Sequence, residues 1–313
     1  MAPLASIIIP NWNGAVHLPV CLQSLRAQTV RGFETLVVDN ASRDGSLALL
    51  ARDFPEVRVL TLDRNHGFAG ACNAGLRAAQ GGVLILLNND TECAPGWLAE
   101  VLAAFERHPQ AGSVASKMLL FDRRDTLHAA GDFFRFDGTP GNRGVWQLDT
   151  GQFAEGPCFS ANGGSAAYRR AMLDDVGLLD EAFYFSCEDV DLGWRAQLHG
   201  WPAVYAPRAV VYHKLSATGG GITASFYNGR NFLFLLAKDV PGELWRCNWR
   251  GLLGAQWAIT AAALRAWRGR EARARLRGQL AGLLGLPRML ARRRAVQAAR
   301  RVSWEYLQSI LTR

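Results

Sequence analysis

The stretch LILLNNDTEC, residues 84–93, is an apolar run that ends abruptly in amide and carboxylate side chains. Residues 84–87 are uninterrupted aliphatic side chains, which is typical of a strand buried on both faces of a sheet. Asn88, Asn89 and Asp90 follow them with no turn glycine in between. The stretch therefore predicts a polar site at the end of a core strand.

The first 120 residues alternate apolar strand patterns with helical patterns. The strand patterns are ASIIIP (5–10), FETLVVDN (33–40), VRVLTL (57–62) and VLILLNND (83–90). The helical patterns cover residues 17–28, 42–54, 68–80 and 95–107. This alternation predicts an α/β fold with a mostly parallel, Rossmann-like sheet flanked by helices. After residue 112 the composition predicts antiparallel strands with loops, followed by a helix over residues 165–177.

Each of the four predicted strands ends in a polar segment. These segments are PNWNG (10–14), DNAS (39–42), DRNHGF (63–68) and NND (88–90). Ligands of open α/β sheets bind outside the carboxyl ends of the strands. Four such ends in register predict a polar cleft along one edge of the sheet.

Asp90 and Asn88 suggest a cation site within this cleft. Mg²⁺ and Mn²⁺ prefer oxygen ligands and keep positions open for substrate phosphates. Asp90 can bind such a cation directly, and Asn88 can hold a ribose hydroxyl or a metal-bound water. The alternative is that these residues cap the helix predicted at residues 95–107 or form a surface turn.

A second acidic group lies in CEDVDLGWR, residues 187–195. Glu188, Asp189 and Asp191 begin a predicted helix, where the helix dipole stabilises carboxylates. Helix capping explains one or two of them. The apolar approach through Tyr184 and Phe185 favours a second interpretation, because such surroundings raise a carboxyl pKa and suit the group to accept a proton.

His213 closes the strand pattern AVVYHK, residues 209–214. It is either a structural histidine or a third metal ligand or phosphate contact. Gly219, Gly220 and Gly221 follow, and they predict either a mobile loop that folds over a substrate or a plain linker.

The composition of the chain indicates which broad class of protein it belongs to. The chain has 313 residues, of which 49% are hydrophobic and 20% charged, as in ordinary globular proteins. No signal peptide and no apolar run long enough to span a membrane is expected. The six cysteines are widely spaced and form no C-x-x-C pair, which favours a reduced cytoplasm over disulfides or zinc.

The positive charge is concentrated in the C-terminal part of the chain. Residues 264–301 contain 12 arginines and one acid, Glu271, whereas residues 1–263 are slightly acidic. We therefore place a boundary near residue 240 and interpret 241–313 as a basic amphipathic helical tail. Such helices can lie on an anionic membrane surface, with Arg at the headgroups and Trp or Leu below. A solvated face or a partner helix is the alternative, and nucleic-acid binding is not expected because no nucleic-acid-reading module accompanies the charge.

The segments that follow the second and third strands suggest a nucleotide site. Asp39 closes the second strand and can pair with a base or with ribose hydroxyls. Gly67 and Gly70 permit close approach of the backbone. No G-x-G-x-x-G follows the first strand and no G-x-x-x-x-G-K-[ST] occurs, which argues against a dinucleotide dehydrogenase and a P-loop NTPase.

Five motifs in this order resemble the family 2 glycosyltransferases of the GT-A fold, in their rhamnosyltransferase-like branch. The motifs are SIIIPNWNG, LVVDNAS, NHGFAGACNAG, LLNNDTE and CEDVDLGWR. The resemblance spans residues 4–240. It implies a GT-A domain over residues 1–240, with a nucleotide-binding half at 1–120 and an acceptor-binding half at 121–240.

The resemblance also implies roles for individual residues. Asp189 would be the general base, with Glu188 and Asp191 beside it in the catalytic group. Asp90 and His213 would bind Mg²⁺ or Mn²⁺, and Asp39 would contact the base. The remaining nucleotide-sugar contacts would come from Pro10, Asn11, Asn13, Asn65, Gly67, Asn73, Asn88 and Asn89. Where many relatives have Asp-x-Asp, this chain has Asn88 at the first position, which removes one charge from the cation site.

The expected activity is inverting transfer of a sugar, with rhamnose favoured, from a UDP- or dTDP-sugar to a lipid-linked or polysaccharide acceptor in cell-surface glycan synthesis. The expected location is the cytoplasm, peripheral at the inner face of the plasma membrane. Two other classes stay open: a sugar-nucleotide pyrophosphorylase and a non-catalytic glycan-binding protein of the same fold. The first would require a basic glycine-rich loop after strand one, which PNWNGAVHLP lacks.

Overall fold

The computed structural model describes residues 3–214 and 220–313. Gly219, and with it part of the predicted glycine loop, lies outside the described residues. The strands are β1 (Ala5–Asn11), β2 (Glu34–Asp39), β3 (Arg58–Thr61), β4 (Val83–Leu87), β5 (Thr91–Cys93), β6 (Ser113–Leu120), β7 (Leu127–Ala130), β8 (Asp132–Phe134), β9 (Pro140–Asn142), β10 (Gly156–Cys158), β11 (Ser165–Arg169) and β12 (Ala203–His213). The helices are α1 (Leu18–Arg26), α2 (Ser46–Asp53), α3 (Gly67–Ala78), α4 (Trp97–Arg107), α5 (Arg170–Val176), α6 (Glu188–His199), α7 (Ile222–Lys238), α8 (Gly242–Arg265), α9 (Arg270–Ala298) and α10 (Trp304–Ile310).

The N-terminal half of the sheet is parallel, in the order β4-β1-β2-β3. Alternate side chains of these strands are buried on opposite faces: Ile7 and Ile9 in one apolar cluster, and Ile8 in another. Helices α1 and α4 cover the first face, and α3 covers the second. Burial on both faces explains the continuous apolar runs in the sequence. The predicted α/β fold with a helix-flanked sheet is confirmed.

The sheet becomes mixed beyond β4. Strand β11 lies antiparallel between β4 and β6, and β12 continues parallel to β6. The helix expected over residues 165–177 is therefore wrong in its first half, since only residues 170–176 are helical. Ala166 and Ala167 favour helix intrinsically, but pairing with two neighbouring strands and nearly complete burial outweigh that weak preference.

The C-terminal helices pack onto the sheet domain. Helix α7 lies against α9, and an apolar cluster joins Phe134 and Trp194 to Met289 and Leu307. The chain end is also tied down, because Thr312 exchanges two backbone hydrogen bonds with the segment at Phe134 and Phe136. The basic region is helical and docked, while the division of the chain at residue 240 stays a prediction. Within the described ranges, no helix combines the length and apolarity that crossing a bilayer requires.

Candidate active site

A cleft of about 610 Å³ opens at the carboxyl ends of the parallel strands. The strand ends contribute Asn11 and Asn40, and the chain after β4 contributes Asn88 and Asn89. The other contributions come from the segment before β11 and the start of α6, where Asp189 lies. The remaining lining residues are Pro10, Trp12, Asn65, Gly67, Phe68, His128, Asn142, Asn162, Gly163, Gly164, Tyr184, Phe185, Ser186, Glu188, Thr223 and Tyr227.

Side-chain amides connect the first, second and fourth strand ends. Asn89 Nδ2 donates to Asn11 Oδ1 over 2.8 Å, and Asn11 Nδ2 donates to Asp39 Oδ1 over 3.1 Å. The other oxygen of Asp39 accepts from the backbone of Ser42 over 3.0 Å. Asp39 is 2% exposed and braces the loop behind the cleft, so its expected contact with a base stays a prediction. Asn13 is exposed, and its Oδ1 accepts from the backbone of Arg43, outside the cleft.

A second amide pair holds the predicted nucleotide segment. Asn40 Nδ2 donates to Asn65 Oδ1 over 3.0 Å and to the carbonyl of Gly67 over 3.1 Å. Gly67 has a φ of +74°, and a side chain there would collide with Tyr184. The sequence interpretation named Asn65 and Gly67 but missed Asn40, although Asn40 lies within the DNAS motif.

Two consecutive glycines join the fourth strand end to the acidic group of α6. The carbonyl of Gly164 accepts from the backbone N–H of Asn88 over 3.0 Å. The backbone N–H of Gly163 donates to Asp189 Oδ2 over 2.8 Å. The end of β4 and the Asp189 carboxylate therefore face the same cleft.

The pKa values of Asp189 and Glu188 are raised. Burial raises the pKa of Asp189, against the opposing effect of hydrogen bonds from the backbones of Gly163 and Val190. Burial and the charge of Asp189 raise the pKa of Glu188 well above its usual range, and Glu188 Oε2 has no hydrogen-bond partner among the described residues. Asp132, which the sequence did not indicate, lines a pocket with both of them. This is the electrostatic setting of a group that takes up a proton.

The loop before α6 is strained. Tyr184, Ser186 and Cys187 all have positive φ values, between 63° and 68°, which are uncommon for residues with side chains. Asn231 of α7 holds the loop by donating to the carbonyls of Phe183, Phe185 and Ser186 over 2.6–3.0 Å. The strain therefore lies where the chain presents Glu188 and Asp189 to the cleft.

Asp191 and Asn73 are further predicted site residues that do not line the cleft. Asp191 is fully buried, and it pairs with Lys238 and with Arg195, the latter at 2.8 Å. Burial opposes its ionisation, yet the charges of these two partners hold the pKa of Asp191 below its usual range. Asn73 donates to the carbonyl of Leu179 over 2.9 Å, on the far side of α3. Asp191 and Asn73 therefore brace neighbouring segments, and their expected roles in catalysis and substrate binding stay predictions.

Asp90 lies behind the cleft wall in a small polar cluster. His213 Nε2 is 3.1 Å from Asp90 Oδ1 and 3.3 Å from Asn88 Nδ2. The ring of His213 stacks on His128, which lines the cleft, with 4.8 Å between ring centroids. Burial and then the charge of His213 lower the pKa of His128 to about 3. His128 was missed because its strand, LHAA, carries no local signal.

This cluster fits a hard cation in part. Asp90 Oδ1 is buried and forms no hydrogen bond in residues 3–214 and 220–313, and His213 Nε2 is its polar neighbour at 3.1 Å, so both atoms can serve as ligands of a cation. Across the same ranges, no three His, Cys, Asp or Glu side chains converge as a complete metal site. A cation that takes one or two protein ligands and completes its shell with water and phosphate oxygens suits this donor set.

The predicted acids do not occupy the N-cap positions of the helices. The N-cap of α4 is Gly96 and that of α6 is Cys187, and neither residue makes a side-chain capping hydrogen bond, although Asp189 accepts from the backbone of Val190 in the first turn of α6. The polar residues at 88–90 and 188–189 are instead bonded within the cleft region or left unpaired.

Known proteins are similar to this chain in sequence and in fold. The chain is 27% identical over 284 residues to the N-acetylglucosaminyl-diphospho-decaprenol L-rhamnosyltransferase of Mycobacterium tuberculosis, an alignment that covers 83% of this chain and 92% of the relative. It is 31% identical over 180 residues to a PGL/p-HBAD biosynthesis glycosyltransferase of Mycobacterium bovis, covering 56% of this chain and 63% of that protein. Among solved structures, the mannosyltransferase PcManGT from Pyrobaculum calidifontis, in complex with GDP-Man and Mn²⁺, has a TM-score of 0.56 at 18% identity. That superposition covers 99% of this chain and 84% of PcManGT, and it shows the shared GT-A fold.

The family comparison covers the strand ends and the glycine pair of the cleft, but not the segment at residues 184–189. The sequence model of glycosyl transferase family 2 matches residues 6–177, which is more than half of the chain. The match includes all four parallel strands, their polar ends and Gly163–Gly164. This chain belongs to glycosyl transferase family 2.

Proposed function

We propose that this glycosyltransferase catalyses inverting transfer of a sugar from a UDP- or dTDP-sugar to a lipid-linked acceptor in cell-envelope glycan synthesis. Rhamnose is the proposed sugar, since the relative from Mycobacterium tuberculosis is by name an L-rhamnosyltransferase that acts on a diphospho-decaprenol. The family match favours transfer over the pyrophosphorylase and non-catalytic alternatives.

The main support for this proposal is that backbone hydrogen bonds of Gly163 and Gly164 hold Asp189 and the end of β4 in one cleft. A displacement with inversion needs a base on the side of the sugar opposite the leaving diphosphate. Nucleotide contacts are proposed along the strand ends, and the base is proposed at the start of α6.

Asp189 would remove the proton from an acceptor hydroxyl as its oxygen attacks the anomeric carbon. The carbon–oxygen bond to the nucleoside diphosphate breaks in the same step, so one displacement inverts the configuration. The raised pKa of Asp189 makes it a better proton acceptor than an ordinary aspartate.

Asp90 and His213 would hold a divalent cation, Mg²⁺ or Mn²⁺, with His128 beside them. When bound, the cation would offset the negative charge that builds on the departing diphosphate. The buried Oδ1 of Asp90, which lies 3.1 Å from His213 Nε2 without a hydrogen bond, supports this proposal, as does the Mn²⁺ in the PcManGT complex.

A peripheral position at the inner membrane face is proposed from the surface of α8 and α9. Both helices and the turn between them expose large apolar side chains next to arginines. The exposed apolar residues include Trp249, Leu253, Trp257, Trp267, Leu280, Leu283 and Leu284. Aromatic and aliphatic residues mixed with Arg suit the interface of an anionic bilayer.

A donor screen tests the proposed activity. The purified chain is incubated with UDP-, dTDP- and GDP-sugars, with and without Mn²⁺, and released nucleoside diphosphate is measured. We expect release from a dTDP- or UDP-sugar that increases with acceptor. Calorimetric titration with the free nucleotides completes the test: binding without turnover supports a non-catalytic protein, and no binding contradicts the proposal.

A further inference from the structure

A second groove lies beside the cleft and shares two of its residues. It encloses about 770 Å³ and is continuous with the cleft wall at Tyr184 and Tyr227. Helix α7 contributes Arg230, and α9 contributes Arg288 and Arg292. The groove thus joins the proposed catalytic centre to the basic C-terminal helices.

The groove carries an excess of positive charge. Its lining includes four arginines, Arg77 being the fourth, but only two carboxylates, Asp180 and Glu181. These two carboxylates are already engaged. Asp180 pairs with Arg292 and Lys238, and Glu181 pairs with Arg77 at 3.2 Å.

Arg230 and Arg288 are the cations left without a carboxylate partner among the described residues. Arg230 donates to the carbonyls of Ala182 and Phe183 over 2.9 and 2.6 Å, so its guanidinium is fixed in place. Burial lowers the pKa of Arg230, and the nearby charge of Arg288 lowers it further. The two guanidinium groups repel each other, and one of them is held in place by hydrogen bonds. A multivalent anion between them would relieve this repulsion, so the pair is suited to bind one.

We propose that this groove binds the diphosphate of a lipid-diphosphate-linked acceptor, an inference that rests on the proposed function. An acceptor sugar in the cleft would place its attached diphosphate past Tyr184 and Tyr227, between Arg230 and Arg288. The lipid would then leave along α9, where Leu283 and Leu284 are 54% and 76% exposed. One guanidinium group can donate two parallel hydrogen bonds to two phosphate oxygens. The groove therefore binds a diphosphate more tightly than a neutral linker.

The test compares two water-soluble acceptors that carry the same sugar, one linked through a diphosphate to a short prenyl chain and one a neutral phenyl glycoside. Arg288→Gln is the informative variant, because Arg288 is exposed and makes no side-chain hydrogen bond in the described structure. We expect about a tenfold rise in KM for the diphosphate acceptor, with kcat, donor KM and the KM for the neutral glycoside unchanged. Arg294→Gln, an exposed position on the same helix outside the groove, is the matched control and should behave as wild type.

Three outcomes would overturn the groove assignment. One is an unchanged KM of Arg288→Gln for the diphosphate acceptor. In another, Arg288→Gln and Arg294→Gln lose binding to anionic vesicles equally and neither changes the KM. Arg288 would then contact lipid headgroups in general and not the diphosphate of the acceptor. Transfer to the phenyl glycoside alone would also reject the groove while leaving the transferase function intact. Failure of every donor to turn over would instead reject the proposed function itself.

Discussion

The backbone N–H of Gly163 donates to Asp189 Oδ2 over 2.8 Å. This bond orients the carboxylate, since Oδ1 is engaged by the backbone of Val190 over 2.8 Å. The space is tight, because a Cβ added at Gly163 would lie 3.3 Å from Asp189 Oδ2. The glycine therefore sets both the direction of the proposed base and the room beside it for an acceptor.

Replacing this base should stop the reaction without emptying the nucleotide site. We expect Asp189→Asn to lower kcat by about 10²–10⁴-fold, the usual contribution of a general base. Nucleotide affinity measured by calorimetry should stay within about twofold, since the proposed nucleotide contacts lie along the strand ends, and the amide loses only one of the two backbone hydrogen bonds that the carboxylate accepts. Asp174→Asn, on an exposed part of α5, is the control. Turnover near the wild-type rate in Asp189→Asn would remove Asp189 from its proposed role.

The pH dependence of transfer follows from the same carboxylate. Burial raises the pKa of Asp189, and a base must be deprotonated to act. Activity should therefore fall as pH decreases through that raised pKa, so the acid limb of kcat/KM lies above the ~3.9 of an unperturbed aspartate. A pH–rate profile with a saturating cation checks this. An acid limb at or below the ordinary aspartate value would contradict the assignment.

Asp90 should govern metal dependence. Chelation is expected to abolish transfer and added Mn²⁺ or Mg²⁺ to restore it, while Asp90→Asn should lower kcat by about 10² or more because the leaving diphosphate loses its counter-charge. His128→Ala should raise the cation concentration needed for half-maximal activity. His108→Gln, at a histidine outside the cleft that pairs with Glu155, serves as control. Full activity of chelated wild-type protein would show that the cluster serves another purpose.

The parallel half of the fold was predictable because its signals are local. The apolar run before Asn88 lies within strand β4, and the helical spacing of apolar residues up to residue 107 lies within helix α4. Helix α4 was expected at residues 95–107 and is observed at Trp97–Arg107. Strand β11 was not predictable from its own alanines, because it is a strand only through its two distant partners, β4 and β6.

The same distinction applies to the site. Glu188 and Asp189 were identified because adjacent acids follow an apolar approach within one segment. His128 and Asp132 come from strands with no such pattern, and only the folded chain brings His128 to the cleft and Asp132 to a pocket with Glu188 and Asp189. Asp191 shares the local acidic pattern but turns inward to Lys238, a partner 47 residues away that the sequence does not indicate.

Asp239 offers a test of stability independent of activity. It is fully buried, and neither carboxylate oxygen has a hydrogen-bond partner within the described ranges. Burial and then the charge of Asp191 raise its pKa well above the usual value. The folded protein therefore holds a proton that the unfolded chain releases above about pH 4, so this group makes the free energy of unfolding fall as pH rises.

Asp239→Asn should remove that dependence. We expect the free energy of unfolding at about pH 8 to rise by roughly 1–3 kcal/mol, with a smaller change at about pH 5, where the wild-type group keeps its proton. Urea denaturation at both pH values measures this, with Asp174→Asn as the exposed control. Greater destabilisation at the higher pH would mean that Asp239 is ionised in the folded protein and stabilised by Lys238.

The exposed tryptophans of the C-terminal helices should control membrane association. Trp257 and Trp267 are 68% and 57% exposed, on α8 and just after it. Replacing both with Ser should reduce binding to phosphatidylglycerol vesicles about tenfold while leaving transfer to a water-soluble acceptor unchanged, because they lie outside the cleft. Trp146→Ser is the matched control, since Trp146 is also 57% exposed but lies outside the basic helices. Co-sedimentation with phosphatidylglycerol and with phosphatidylcholine vesicles separates apolar insertion from charge. Equal losses from the Trp146 variant, or no loss from the double variant, would place the membrane contact elsewhere.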